Sequence, residues 1–416
     1  MSAGGIRSFR RMENSPLASI LSIVFIDLIG FGMIIPILPL YAQRFQASEW
    51  QIGILLASYS FMQFLASPVL GWFSDRYGRK PVLLCSLIGS ATGYILMASA
   101  ISLAMLFLAR ILAGVAGASV GTASAYIADI TAPENRSKRM GLIGAAFGIG
   151  FVLGPAIGGI LSQWSVVAPF WFAAVLSILN AVLMWIMLPE PERHAARERG
   201  PVNLRQIFEQ AGGWRLGVVT AIYFIAIAGF AVVTVIYPQV SHRRFGLNQS
   251  QISYIFVMVG LIGAGIQGGG IGRLVQRFGD VNLAIAGFAI MCVSMMMMPL
   301  ARSVPLFLLF TAGLAVGNSL SQPTVNAIAS KSASAALQGR VMGVVQSAGS
   351  LGRVFGPVLA GFLLTGDHTR PNIQYGNTPF LVGGVVIAIA FGLATTLRRS
   401  TPAKAVTASP VEADKN

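Results

Sequence analysis

The sequence predicts an all-α integral membrane protein of twelve transmembrane helices, arranged as two six-helix pseudo-symmetric bundles. The composition, the length of the apolar segments and an internal repeat predict this fold class. The 416 residues are 55% hydrophobic and only 10% charged, whereas charged residues make up about a quarter of a soluble domain. A chain this apolar must bury much of its surface in lipid.

The apolar segments are long enough to cross a bilayer as helices. A helix needs roughly 20 residues to span a hydrocarbon core of about 30 Å, and the alternation of a transmembrane barrel is absent. The first segment is too long for the apolar region of a signal peptide, so we expect it to stay in the protein. Spans are predicted at 17–41, 50–73, 81–100, 103–128, 139–162, 167–188, 215–240, 251–272, 282–300, 304–329, 340–364 and 378–397.

The two halves of the chain resemble each other. Three sets of residues recur in order, at offsets of 200, 201 and 202. They are Arg44-Phe45 with Gln51-Ile52, repeated at Arg244-Phe245 with Gln251-Ile252; Gly71, Arg76 and Gly78, repeated at Gly272, Arg277 and Gly279; and Met140-Gly141 with Gly154-Pro155, repeated at Met342-Gly343 with Gly356-Pro357. We therefore predict a tail at 1–16, a six-helix bundle at 17–189, a linker at 190–214, a second bundle at 215–398 and a tail at 399–416. Parallel repeats of this kind are common in secondary transporters.

The net charge of +15 reflects membrane topology. The basic residues lie in short loops and form no basic domain of the kind that binds nucleic acid. Most of them fall on one side of the predicted spans, which the positive-inside rule makes cytoplasmic. We expect a multi-pass protein of the cell (inner) membrane with both termini in the cytoplasm.

The sequence offers no metal, cofactor or catalytic site. Cys85 and Cys292 fall within predicted helices as small apolar residues, and His194, His242 and His368 occur singly in loops, where we expect them to be solvated. The loops are too short for a separate domain and hold no cluster of catalytic side chains. We therefore predict no cofactor and no enzymatic activity.

The loop after the second span is the most specific motif. It reads Gly71-Trp72-Phe73-Ser74-Asp75-Arg76-Tyr77-Gly78-Arg79-Lys80 and closely resembles the G-x-x-x-D-R-x-G-R-K signature of the major facilitator superfamily. The resemblance implies that Asp75, Arg79 and Asp129 hold the outward-facing state, with Gly71, Arg76, Gly78 and Lys80 completing the gate. Glycines allow a tight turn and the charges allow ion pairs that break and re-form. A simple topology loop would explain the cations, but not Asp75 or the glycines.

The fifth span carries Gly148, Gly150, Gly154, Pro155, Gly158 and Gly159. This string is similar to the G-P-x-x-G-G element that the family associates with antiporters. Glycines four residues apart let helices approach closely, and proline lets a helix bend. Ordinary packing of small residues is the alternative interpretation.

The first span contains Asp27, the single acidic residue that we place deep within a span. An ionised carboxylate is costly there, so Asp27 can gain and lose a proton as access alternates and couple transport to a proton gradient. A capped or ion-paired structural acid is the alternative. Arg110 matches the fourth-helix arginine of the family, although Ala113 stands where glutamine is usual, and it could tune the proton affinity of a nearby acid.

The remaining polar residues of the spans are candidates for the lining of a substrate cavity. Asn318, Gln322 and Asn326 repeat every four residues and so share a helix face, and Gln63, Gln267 and Gln346 lie in other spans. Hydrogen bonding between helices explains these amides nearly as well. Arg353 has Phe151 at the equivalent position of the first half; it binds either an anionic group of the substrate or a group of the protein.

Across most of the chain, and especially from Arg110 to Gly159, the sequence also resembles the bacterial tetracycline exporters, which implies proton-driven export. Those exporters carry a carboxylate before a tyrosine in the third helix and another in the ninth, whereas Gly93 precedes Tyr94 here and Leu283 to Pro299 has no acid. Gln276 likewise replaces the acid of the second loop. We expect a monomeric antiporter that exchanges protons for a small amphiphilic compound, or alternatively a facilitator or symporter for a small, possibly anionic, metabolite.

Overall fold

The computed structural model describes residues 3–131, 136–190, 213–332, 337–370 and 372–399. All regular secondary structure in this part of the chain is helical. Most of the predicted linker and of the C-terminal tail lies outside the described residues.

Fifteen α-helices follow one another through the described residues. They are α1 (Ala3–Ile34), α2 (Leu38–Gln43), α3 (Glu49–Tyr77), α4 (Arg79–Ala98), α5 (Leu103–Ala116), α6 (Ser119–Asp129), α7 (Arg136–Leu161), α8 (Ala168–Met187), α9 (Trp214–Phe245), α10 (Gln249–Gly265), α11 (Ile271–Phe278), α12 (Asp280–Met297), α13 (Val304–Lys331), α14 (Gln338–Thr369) and α15 (Asn377–Arg399).

The helix lengths agree with twelve spans. Eleven helical segments within the described residues are long and apolar enough to cross a membrane; in this count α5 and α6 form one segment, as do α10 and α11. The apolar part of α7 is shorter, Ile149–Leu161, but the whole helix has 26 residues. Each predicted span overlaps one of these segments.

The helices pack as two bundles. In the first, α1 packs on α7 and α8, and α4 on α5 and α8; in the second, α9 packs on α14 and α15, and α12 on α13 and α15. The main contacts between the bundles are those of α3 with α14 and of α7 with α10. Small residues permit these crossings: a Cβ on Gly361 would lie 2.6 Å from the carbonyl oxygen of Glu49, and one on Gly159 would lie 2.8 Å from the Cβ of Ser253.

The two ends of the bundles differ in how the halves meet. We call the end with Gly78, Asp129 and Gly279 the loop-motif face, and the opposite end the Glu49 face. Gly361 and Gly159 both lie toward the Glu49 face. There the Oγ atoms of Ser162 and Ser250, one from each half, are 3.1 Å apart.

The eighth span is interrupted. A π-helical turn, Ile266–Gly270, separates α10 from α11 and contains Gly268, Gly269 and Gly270. A Cβ on Gly268 or Gly269 would meet nothing within 4 Å. The extra residue of a π-turn disturbs the regular hydrogen bonding, so this helix has a natural point of bending.

Candidate functional site

Asp27 lies in α1, and its side chain points into the interior of the first bundle. Its Oδ1 atom is buried and has no hydrogen-bond partner among the described residues. A cavity of about 20 Å³ adjoins it, lined by side chains of α1, α4, α6 and α8 that include Leu87 and Ala123. This volume is enough for about one water molecule. The apolar lining extends from Asp27 toward the loop-motif face.

Two tyrosines lie near this acid, and an arginine packs on one of them. Tyr59 and Tyr94 both lie within electrostatic range of Asp27. The Arg110 guanidinium lies 4.5 Å from the centre of the Tyr59 ring, and its Nη2 is 3.5 Å from the carbonyl oxygen of Leu56. Arg110 and Asp27 therefore form no ion pair here, although the sequence suggested that one could tune the other.

Arg353 lies at the middle of α14 and faces the space between the halves. The most exposed side chains near it, Leu351 and Phe355, lie on the lipid side of the helix. Arg353 is about half a turn from both of them, so it points the opposite way. It lies within electrostatic range of Tyr223 in its own half and of Tyr59 in the other. Charged groups of both halves thus meet at Tyr59, a residue that the sequence interpretation missed.

A chain of polar side chains continues from Tyr223. Its hydroxyl donates to Gln346 Oε1 at 3.2 Å, and Gln346 Nε2 approaches Asn326 Oδ1 at 3.4 Å. The Arg353 guanidinium itself donates to Ser350 Oγ, one turn away, at 2.9 Å. These contacts bring three of the predicted cavity residues together, on α13 and α14.

The amide stripe of α13 also faces away from lipid. Leu309 is 63% exposed, and Asn318 follows it by about two and a half helical turns, which places it on the opposite side. Asn318, Gln322 and Asn326 are each partly accessible, although their helix neighbours Ser319 to Ser321, Thr324 and Val325 are buried. The stripe therefore borders an open space. Gln63 instead donates to the carbonyl oxygen of Gly117 at 2.8 Å, and Gln267 is exposed on the π-turn.

The glycines of α7 make a close seam with α1. A Cβ on Gly150 would lie 2.8 Å from the Cβ of Leu28, and one on Gly154 would lie 2.8 Å from the carbonyl carbon of Gly32. Gly158 continues the seam at Met33, whereas Gly159 turns to the other half. Pro155 is buried in the same segment. The surroundings of Gly148 lie outside the described residues.

The loop motif forms an ion-pair network inside the first half. Arg79, the first residue of α4, binds Asp75 at 2.6 Å and Asp129, the last residue of α6, at 2.9 Å. Its Nη1 also donates to Ser74 Oγ at 3.0 Å. The Arg79 side chain is only 13% exposed, so these pairs are better shielded than ordinary surface ion pairs.

Glu190 completes this network, and the sequence did not single it out. Its carboxylate accepts the backbone N–H groups of Arg79 at 2.6 Å and Lys80 at 2.9 Å. An anion at a helix N-terminus compensates the helix dipole. Gly78 makes room for it: its φ is +112°, and a Cβ there would lie 2.6 Å from a Glu190 oxygen. Arg76 stacks on Trp72 at 5.3 Å.

Gly71 meets no neighbouring atom at its Cβ position. Lys80 Nζ donates to the carbonyl oxygen of Trp185 at 2.8 Å. Both residues lie toward the loop-motif face. The Lys80 contact connects the start of α4 with the end of α8.

The second half repeats the Arg79–Asp129 pair with its charges exchanged. Asp280 is the first residue of α12 and Lys331 the last of α13, and the two form an ion pair. Gln276 removes the loop acid from this half, but the link between the third and fourth spans remains. Gly279 keeps the positive φ of its counterpart, at +76°.

The Glu49 face has a polar cluster that joins the halves. Glu49 begins α3 in the first half. From the second half, His368 Nδ1 lies 2.5 Å from its Oε1, Arg243 Nη1 lies 3.9 Å away, and the Tyr375 hydroxyl donates at 3.4 Å. Arg243 also stacks on the Tyr375 ring at 4.3 Å.

This cluster corrects one expectation about the histidines. His368 is half-exposed, as a loop residue would be, but it contacts Glu49 across the interface and is not simply solvated. Burial, and then the Glu49 carboxylate, raise the pKa of Tyr375, so its phenol stays protonated and keeps donating. Only contacts between distant parts of the chain reveal this cluster.

Comparison with known proteins identifies the family. The Major Facilitator Superfamily model matches residues 20–271 and 219–415. The class C tetracycline resistance protein of Escherichia coli is 32% identical over 391 residues, covering 91% of this chain and 96% of that protein. Multidrug resistance protein 1 of Bacillus subtilis (strain 168) is 30% identical over 397 residues, covering 94% and 99%.

Solved structures give the same fold. A bacterial homologue of the human lysosomal transporter Spinster, in an inward-facing and unoccupied conformation, superposes with a TM-score of 0.77 at 16% identity, covering 94% of this chain and 99% of that one. The repeated bundles, the loop motif and these matches lead to one conclusion. The chain belongs to the Major Facilitator Superfamily and is a multi-pass membrane transporter.

Proposed function

We propose that the protein is a proton-coupled antiporter that exports a small amphiphilic compound by alternating access. The observation that carries this proposal is the state of Asp27, whose Oδ1 is buried and unpartnered within the described part of the chain. A carboxylate in such surroundings is costly while ionised, so movement that alternately hydrates and buries it makes proton binding depend on conformation. The relatives named for tetracycline and multidrug resistance support export as the direction.

The sidedness follows from charge. Arg76, Arg79 and Lys80 at the loop-motif face belong to the more basic side of the chain, which the positive-inside rule assigns to the cytoplasm. Both termini then lie in the cytoplasm, and the protein acts as a monomer in the cell (inner) membrane. The polar links between the halves cluster at the Glu49 face, so the structure corresponds to an inward-facing state.

The residues of the first half have distinct roles in this cycle. Asp27 releases its proton along the cavity toward the loop-motif face while that face is open. Arg79, Asp75 and Asp129, which are already paired within the first half here, form the surface on which we expect the loop-motif face to close in the opposite, outward-facing state. The seam between Gly154 and Gly32 keeps α1 and α7 together as one rigid body, so Asp27 moves with α7 as access alternates.

The test compares wild type with Asp27→Asn in proteoliposomes that carry an imposed pH difference. The panel of probes includes tetracycline, ethidium and dansyl compounds. We expect wild type to accumulate a probe only with the gradient, and Asp27→Asn to lose this accumulation while it still exchanges the same probe across the membrane without a gradient. Exchange serves as the control for folding and binding. Gradient-driven accumulation by the variant at the wild-type rate excludes proton coupling through Asp27, and uptake together with protons excludes antiport.

A further inference from the structure

We propose that the exported compound is an amphiphilic anion with an aromatic body, and that its negative group binds Arg353. This inference rests on the proposed function and names the substrate class of the same site.

Arg353 has a charge that the described residues leave without a counter-ion. Its one hydrogen bond within the described part of the chain goes to the neutral Ser350 Oγ, and its electrostatic neighbours are the phenols of Tyr223 and Tyr59. A guanidinium has five donors and stays charged in proteins. Most of these donors are therefore free to bind a ligand, and a carboxylate or sulfonate can accept two of them at once.

The middle of the membrane-spanning region is positive in either protonation state of Asp27. Asp27, Arg110 and Arg353 are the ionisable acids and bases that lie far from the ends of the described spans. With Asp27 ionised the three groups leave one positive charge, and with Asp27 protonated they leave two. Charges interact strongly in such poorly solvated surroundings, so an amphiphilic cation is repelled and an anion supplies the missing counter-charge.

The other half presents an aromatic surface at the equivalent position. Phe151 is the counterpart of Arg353 in the repeat. Its ring meets Phe31 at 6.1 Å between centroids, and Phe31 meets Tyr59 at 5.1 Å. The repeat thus provides a cation in one half and an aromatic cluster in the other. A compound that spans the two needs a negative group at one end and a ring system at the other.

The inference fixes the charge moved in each cycle. Export of a monoanion in exchange for one proton transfers two positive charges inward, whereas a neutral compound transfers one and a monocation none. A membrane potential alone, without a pH difference, must therefore drive export of the anion.

The test uses three dansyl probes that share a fluorophore but differ in charge: dansylglycine (anion), dansylamide (neutral) and dansylcadaverine (cation). Binding is measured in nanodiscs of neutral lipid, with empty nanodiscs subtracted. We expect wild type to bind dansylglycine at least about tenfold more tightly than dansylamide, and dansylcadaverine most weakly.

The variants Arg353→Gln and Arg353→Lys separate charge from structure. We expect Arg353→Gln to lose about tenfold in affinity for dansylglycine and nothing for dansylamide, and Arg353→Lys to retain most of the preference for the anion. The control is Arg302→Gln, which removes an exposed arginine at the Glu49 face and should leave all three affinities unchanged.

The outcomes separate this inference from the proposed function. Tighter binding of dansylcadaverine than of dansylglycine overturns the inference, as does an equal loss for all three probes in Arg353→Gln or the absence of dansylglycine binding. If the gradient drives export of dansylcadaverine alone, the substrate is not an anion, but the proposal of proton-coupled export still holds. Potential-driven movement of dansylglycine that does not respond to protons would retain the anion site and remove the antiport.

Discussion

Tyr59 is the residue at which the charged groups of the two halves meet. Its ring packs on Arg110, and both Asp27 and Arg353 lie within its electrostatic range. In the sequence it is one tyrosine in an apolar span, and nothing there distinguishes it from a core residue. Its position becomes evident only when α3 is placed between α5 and α14.

We expect Tyr59→Leu to reduce proton-coupled transport by about two- to thirtyfold more than Tyr59→Phe, because a cation–π contact contributes about 0.5–2 kcal/mol and phenylalanine retains it. Transport rates at equal protein density in proteoliposomes provide the comparison. Equal losses in the two variants would show that the hydroxyl, and not the ring on Arg110, is what matters.

Gly154 is a second residue whose environment leaves no room for a side chain. An added side chain would strike the backbone of α1 at Gly32 and Ile29. We expect Gly154→Leu to lower the thermal midpoint in detergent by several degrees and to reduce transport, since overpacking costs about 1–3 kcal/mol. Gly392→Leu is the matched control, because a Cβ on Gly392 meets nothing within 4 Å. If both variants melt alike, the seam does not depend on Gly154.

At the scale of the helix ends, both halves have an ion pair between the start of the third span and the end of the fourth. The acidic and basic residues of this pair are exchanged between the halves. The first residue of α4 is Arg79 and that of α12 is Asp280, and each binds the last residue of the fourth span of its half. In the sequence, Gln276 indicates only that the loop of the second half has lost its acid. The connection was hidden because its two residues exchanged places, so neither matches its counterpart by type.

These two pairs should differ in importance. Lys331 is 67% exposed, whereas Arg79 is 13% exposed. We expect Asp129→Asn to slow transport by about tenfold and Lys331→Gln to slow it by less than about fivefold, because exposed ion pairs contribute about 0–1 kcal/mol. Initial rates of export measure both.

Reversal of the second pair provides a stricter test. Asp280→Lys alone places two like charges together, and we expect it to lower transport and stability. The double variant with Lys331→Asp restores an attractive pair in the polarity of the first half and should recover most of the loss. Failure of the double variant to recover would mean that Asp280 has another role.

At the scale of the whole molecule, polar contacts at the Glu49 face join the two halves. Ser162 Oγ and Ser250 Oγ lie 3.1 Å apart across the halves. In a background without Cys85 and Cys292, we expect Ser162→Cys combined with Ser250→Cys to form a disulfide on mild oxidation, which stops transport and is reversed by reductant. Either single variant is the control. Undiminished transport by the oxidised double variant would mean that this face need not open.

Much of the fold could be predicted from the sequence, because lipid requires long apolar helices and the repeat defines two halves. The glycine seam of α7 was also visible, since its spacing matches one helix face. The contacts between the halves were not visible in the sequence. There, Glu49 looks like the start of an ordinary helix, and His368 looks like a solvated loop residue. Such pairs depend on the angle between bundles, which no local pattern encodes. Arg353 and Asp27 stood out only because charges are rare in spans.

The small-residue crossings described at the Glu49 face have a mechanical consequence. They hold α3 against α14 near one end, so the rest of each helix acts as a lever arm. Each helix continues for about 23 residues, or about 35 Å, beyond the crossing, so a rotation of about 10° at the fulcrum displaces the far end by about 6 Å. A tilt that barely disturbs the glycine contacts thus opens a passage the width of a small organic molecule at the loop-motif face.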